Sequence, residues 1–180
     1  HRCMKAILLD RYDTINEDPG YLADATQVRL LPRVVEGLSL LRSHGYRFFV
    51  MSNQSGVARG LISEPELQAV NDRISELLVA QGIIIERFYV CPHRDEDECD
   101  CRKPKPGLFR QFFQDWDAPG SQCFAIGDKP RDLEAALPFG VRGILLQAGK
   151  EAPVYFPKNL VYRAADLLDA ADYIIRTEGD

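Results

Sequence analysis

The feature that most constrains this sequence is an alternation. Short, nearly continuous apolar runs recur between segments of helical spacing, and the runs stop at residues with reactive side chains. Lys5–Leu9, Arg47–Met51, Ile83–Val90, Gln122–Ile126 and Val141–Leu146 read as strands buried on both faces, because they lack the strict alternation of a half-solvated strand. Val34–His44 places Val34, Val35, Leu38 and Leu41 at helical spacing and stops at Gly45. Ser63 and Glu66 make a capping-box pair that opens a helix running to about Gln81 and Gly82. Further helices are expected over Leu108–Trp116, from about Arg131 to Phe139 (closed by Gly140), and over Ala164–Ile175, with Glu151–Arg163 as a linker to the last one. Strands alternating with helices predict an α/β fold, a three-layer doubly wound parallel sheet forming a single domain over residues 1–180. In such sheets the ligand binds beyond the C-terminal strand ends.

Composition narrows the function classes. A length of 180 residues and a hydrophobic fraction of 46% suit one well-filled core. A net charge of −5 disfavours a nucleic-acid partner, whose phosphates demand cations. No apolar run approaches the ~18 residues a membrane helix needs, so no membrane partner is expected. Five cysteines, odd in number and unevenly spaced, do not read as a disulfide framework, which points to a reducing, cytoplasmic setting. A monomer acting on a small molecule is expected.

The strand ends carry the chemistry. Asp10 follows the first strand, where a carboxylate can ligate Mg²⁺ and attack phosphorus. Ser52-Asn53-Gln54-Ser55-Gly56 follows the second, offering a hydroxyl, amides and free backbone N–H groups to a phosphoryl group, with Arg59 just beyond. Arg102-Lys103-Pro104-Lys105-Pro106-Gly107 places three cations in an extended segment ahead of a helix. Gly127-Asp128-Lys129-Pro130-Arg131-Asp132 follows the fourth strand; Asp128 can complete a Mg²⁺ site with Asp10, and Asp132 is expected to cap the helix or hold Lys129. Cys91, His93, Cys99 and Cys101 fall within eleven residues, a donor set for a closed, structural Zn²⁺ site. The residues between them have no apolar anchor, so the metal would order the loop.

Taken together, these segments resemble the haloacid dehalogenase superfamily of phosphotransferases, and within it the heptose bisphosphate phosphatases and the related histidinol phosphatases. The resemblance rests on Leu9-Asp10-Arg11, on Ser52 to Gly60, on the Cys91–Cys101 loop, on Arg102 to Gly107 and on Ile126 to Lys129, and it spans about residues 5–150. It implies a nucleophile and Mg²⁺ ligand at Asp10, with Asp128 and the backbone carbonyl of Tyr12 completing the Mg²⁺ site. It implies that Ser52 and Lys103 hold the transferring phosphoryl group. Asn53, Gln54, Ser55, Arg59, Arg102 and Lys129 then face the substrate, a small sugar bisphosphate. The zinc loop takes the place of a large cap domain.

One departure stands out. The family's first motif reads Asp-x-Asp-Gly-Thr, and here it reads Asp10-Arg11-Tyr12-Asp13-Thr14. Tyr12 stands where the family has its general acid/base, and a phenol with a pKa of about 10 is poorly matched to that task. Asp13 takes over the role if the turn shifts by one residue. Otherwise the chain is a slow phosphatase or binds a phosphosugar without turnover. Histidinol-phosphate and nucleic-acid-end phosphatases are the alternative activities.

Overall fold

The computed structural model describes residues 3–147 and 149–179. Among them lies a six-stranded sheet, β1 (Lys5–Leu9), β2 (Tyr46–Asn53), β3 (Ile85–Cys91), β4 (Cys123–Gly127), β5 (Arg142–Leu146) and β6 (Leu160–Ala164), in the order β3-β2-β1-β4-β5-β6. Every pairing is parallel. Five α-helices are described: α1 (Val34–Ser43), α2 (Glu64–Val79), α3 (Gly107–Asp115), α4 (Pro130–Glu134) and α5 (Leu167–Glu178).

The continuous apolar runs are explained by the two faces of this sheet. Ile7, Leu9, Phe48 and Val50 point to one core, packed under α1, α2 and α5. Ala6, Leu8, Phe49 and Met51 point to the other, where Phe109 and Phe112 of α3 fill the space. Successive strand residues face opposite sides, so a central strand needs an apolar residue at every position. Phe49 meets Phe112 and Trp116 edge-on, with ring centroids 4.7 and 5.0 Å apart. The capping box is formed: Glu66 N–H donates to Ser63 Oγ at 3.2 Å, and Ser63 N–H donates to Glu66 Oε1 at 2.8 Å.

The strand expected over Ile83–Val90 as buried on both faces is β3, which starts at Ile85, lies at the sheet edge and is only partly buried; three further boundaries differ more. Glu151–Arg163 contains the start of β6, an edge strand whose residues are mostly half-exposed, so its pattern lacked a buried run. The last helix therefore starts at Leu167, where Asp166 accepts from Asp169 N–H at 2.8 Å as its N-cap. The expected helix over residues 131–139 is two pieces, α4 and a single 3₁₀ turn at Leu137–Phe139, because Pro138 has no N–H to continue the ladder. Among the described residues no helix is long and apolar enough to cross a membrane.

Candidate active site

The centre of the site is set by strand register. β1 and β4 are neighbours with Leu9 opposite Ile126, and Asp10 N–H donates to the Ile126 carbonyl at 3.0 Å. The residues leaving these two strands, Asp10 and Asp128, are thereby brought side by side. Asp132 joins them from the first turn of α4, where its Oδ2 accepts from Lys129 N–H at 3.0 Å. Gly127 makes room for it: a Cβ there would lie 2.4 Å from the Asp132 side chain. One carboxylate oxygen from each of the three aspartates lies within 4.8 Å of the others.

Lys103 crosses from the segment before α3 into this cluster. Its Nζ donates to Asp10 Oδ1 at 2.9 Å, to Asp132 Oδ1 at 2.7 Å and to the Met51 carbonyl at 2.7 Å, which engages all three ammonium protons. Burial works against its charge, but Asp10 and Asp132 outweigh burial and hold Lys103 above the ordinary lysine range. Burial lifts the Asp10 carboxyl; Lys103 pulls it back down and Asp128 adds to the rise. Asn53 fixes the lysine from behind, donating to the Lys103 carbonyl at 3.1 Å and accepting from Lys103 N–H at 2.9 Å.

A cavity of about 340 Å³ opens over Asp10 and Lys103. Ser55, Arg59, Arg102 and Lys129, all expected to face a substrate, line it. Asn53 and Gln54 also reach it, but their amides are engaged inward: Gln54 donates to Ser52 Oγ at 2.5 Å and accepts from Arg11 at 3.2 Å. Ser52 is 1% exposed and is not among the lining residues, so its hydroxyl orients Gln54 in this structure.

Tyr12 lines the cavity beside Asp10, and its hydroxyl accepts from Leu22 N–H at 3.2 Å, tying the following loop to the site. Asp13 does not turn into the vacated place. It sits at φ 57°, a left-handed conformation that Asp tolerates better than most residues, and lines a separate hollow with Thr14. The turn has not shifted by one residue, because Asp13 N–H and Asn16 carbonyl still close it at 2.8 Å.

Two contributors were not singled out from sequence, and a third does more than was expected of it. Asp132 was expected to act as a helix cap, which it does, but it is also a direct partner of Lys103. Arg131 lines the cavity with its Nε buried and without a partner. Arg11 is fully buried; it donates to Asn71 Oδ1 at 2.6 Å and stacks over the Tyr12 ring at 4.3 Å, linking α2 to the site. Only the burial of an arginine next to Asp10 would have signalled it, and burial is not written in one sequence.

The second ligand group lies at the end of β3. Cys91 Sγ is 3.6 Å from Cys99 Sγ and 3.5 Å from His93 Nδ1, which is 3.3 Å from Cys101 Sγ. A tetrahedral zinc with Zn–S near 2.3 Å and Zn–N near 2.0 Å requires donor spacings of roughly 3.5–3.8 Å, so the donors fit that ion. Burial opposes ionisation of Cys99, but backbone N–H groups of Cys101 and Arg102 bring it down to about 7. The loop is pinned to the active site through Arg102, which donates to Asp95 at 2.7 Å and to the His93 carbonyl at 3.3 Å.

Comparison with known proteins places the chain in a family. The Haemophilus ducreyi D-glycero-beta-D-manno-heptose-1,7-bisphosphate 7-phosphatase is 34% identical over 178 residues, covering 94% of this chain and 98% of its own. The chain belongs to the HAD-like family of heptose bisphosphate phosphatases. The Pseudomonas aeruginosa HAD-like phosphatase of the same name is 36% identical over 145 residues, covering 80% of this chain and 82% of its own. The family described as HAD-hydrolase-like matches residues 100–175, and that described as polynucleotide kinase 3 phosphatase matches residues 21–133. Among solved structures, the D,D-heptose 1,7-bisphosphate phosphatase of B. bronchiseptica, complexed with magnesium and phosphate, superposes with a TM-score of 0.88 at 30% identity, covering 96% of this chain and 99% of its own. In this chain the carboxylates of Asp10, Asp128 and Asp132 are hard oxygen donors of the kind that Mg²⁺ takes.

Proposed function

We propose that this chain is a phosphomonoesterase acting on a small sugar bisphosphate, with the C7 phosphate of D-glycero-D-manno-heptose 1,7-bisphosphate as the bond cleaved. The observation that carries this is the convergence of Asp10, Asp128, Asp132 and Lys103 beneath a cavity with cations on its wall. Asp10 attacks phosphorus in line, giving an aspartyl-phosphate that water then hydrolyses. Lys103 steadies the charge that develops on the transferring group. Asp10, Asp128 and the Tyr12 carbonyl would hold Mg²⁺, which supplies charge neutralisation at the phosphoryl oxygens. Asp132 is already engaged by Lys103 and by Lys129 N–H, so it acts by fixing the lysine. The distal phosphate is taken by Arg59, Lys129 and Arg131, the cations on the cavity wall. Zinc at Cys91, His93, Cys99 and Cys101 orders the loop that carries Arg102.

A specific observation favours a second reading, that turnover is impaired. The leaving alkoxide needs a proton, yet the side chain beside Asp10 is that of Tyr12, and a phenol, with an ordinary pKa of about 10, is too weak an acid for the task. Asp13 lines a separate hollow. Phosphate release from the heptose bisphosphate with Mg²⁺, beside calorimetric binding of the same sugar, separates the two. Binding without release supports the silent reading, and neither binding nor release ends both. We further infer a single domain over residues 1–180 acting as a cytoplasmic monomer, the absence of disulfides among the described cysteines being what supports the compartment; sedimentation and cell fractionation test it.

A further inference from the structure

Lys150 has no role in the reading above, yet its ammonium lies 2.6 Å from Asp128 Oδ2 and 3.6 Å from Asp13 Oδ2. The Asp128 side chain is 3% exposed, whereas that of Lys150 is 39% exposed, so the lysine reaches from the solvent edge onto a buried carboxylate. It arrives from the connection after β5, where Lys150 N–H donates to the Gln147 carbonyl at 3.1 Å. Asp13 meets it from the other side, presented by the left-handed turn at φ 57°.

The charges explain why a second cation belongs here. Asp10, Asp128 and Asp132 place three carboxylates within 4.8 Å of one another, and Lys103 contacts two of them. Asp128 is the member that Lys103 leaves without a cation, and Lys150 supplies it. A divalent ion bound between Asp10 and Asp128 would meet this ammonium at short range, and two cations on one carboxylate repel in a water-poor site. The Asp13 carboxylate offers the ammonium another resting place within about 1 Å of further travel, a distance well inside the reach of a flexible lysine.

We propose that Lys150 is a tethered counter-cation of the divalent-ion site, displaced from Asp128 onto Asp13 when the ion enters. The proposal rests on the reading of Asp10 and Asp128 as ligands of that ion. Its test is Mn²⁺ binding to the zinc-loaded chain, read by electron paramagnetic resonance, with thermal melts to show that each variant is folded. Lys150→Met removes the competitor and should tighten Mn²⁺ binding by about tenfold. Lys150→Arg should bind as the unmodified chain does. Asp13→Asn should weaken Mn²⁺ binding severalfold when Lys150 is present and change nothing when Lys150 is Met, a coupling that independent side chains do not show. Unchanged or weaker Mn²⁺ binding by Lys150→Met overturns the proposal, as does an additive Asp13→Asn effect. If binding is indifferent to Asp128→Asn, the ligand reading itself fails, an outcome distinct from a failure of Lys150 alone.

Discussion

The Cys91–Cys101 loop draws its four donors from eleven consecutive residues, whereas the carboxylate cluster draws Asp10 and Asp128 from strands that the sheet alone makes neighbours. The loop has little beneath it. Its middle residues are charged and mostly exposed, with Arg94 and Asp97 bonded to each other. The carboxylates are the reverse: Lys103 is 93 residues from Asp10, buried, and hydrogen-bonded on every proton. A site held by the fold should survive chemical change in its members, while a site held by an ion should not survive the loss of that ion. The loop is tied to the active site through Arg102 and through the Cys91 carbonyl, which accepts from Gln54 N–H at 2.7 Å, so damage to it should reach catalysis second-hand.

The largest effect that sharpens this contrast is expected from Asp10→Asn. Phosphate release should fall by at least about 10⁴-fold, as for the loss of other covalent nucleophiles. Zinc content and the circular dichroism spectrum should be unchanged; zinc loss in this variant would break the separation between the clusters. Next comes Tyr12→Asp combined with Asp13→Gly. Restoring a carboxyl above Asp10 should raise turnover by about 10²-fold or more in the phosphate-release assay, with sugar binding unaltered. A rise in affinity without a rise in turnover would show that Tyr12 blocks the cavity instead.

Lys103→Met tests how far the fold depends on its own site. It leaves Asp10 and Asp132 buried without their cation and should cost about 3–5 kcal/mol in urea unfolding. Cys99→Ser should act more locally. Hydrogen exchange should quicken over residues 92–100 and stay slow in β1, and melting should drop by roughly 2–4 °C per kcal/mol lost. The smallest effect concerns pH. Burial, aided by the bond to Asp115, pushes Tyr89 up to about 12 from the usual 10. Folding favours its protonated form, so this contribution is complete below pH 10 and is lost as pH rises through 12. Ultraviolet titration should show a late-ionising component that is smaller in Tyr89→Phe.

The contrast also explains what the sequence could reveal. The zinc donors are legible because their spacing is local, and the central strands because burial on both faces demands unbroken apolar runs. Asp10 and Asp128 are legible because both directly follow such runs. β6 is not, because only its last residue, Ala164, is buried, whereas the other edge strand, β3, keeps Ile85, Tyr89 and Cys91 inside. Arg11 and Arg131 look like ordinary surface arginines until the fold buries one and turns the other into the cavity. Asp132 reads as a helix cap because its second bond, to Lys103, spans 29 residues.

The strand order has a consequence for a chain still being made. β1 emerges first but ends in the middle of the sheet, flanked by β2 and β4. Asp10 therefore waits through the synthesis of three more strands before its ammonium and carboxylate companions exist, the last of them at Asp132. Any ribosome-bound or prematurely ended product that stops short of α4 carries Asp10 without Asp132, so the cluster is completed only late in synthesis.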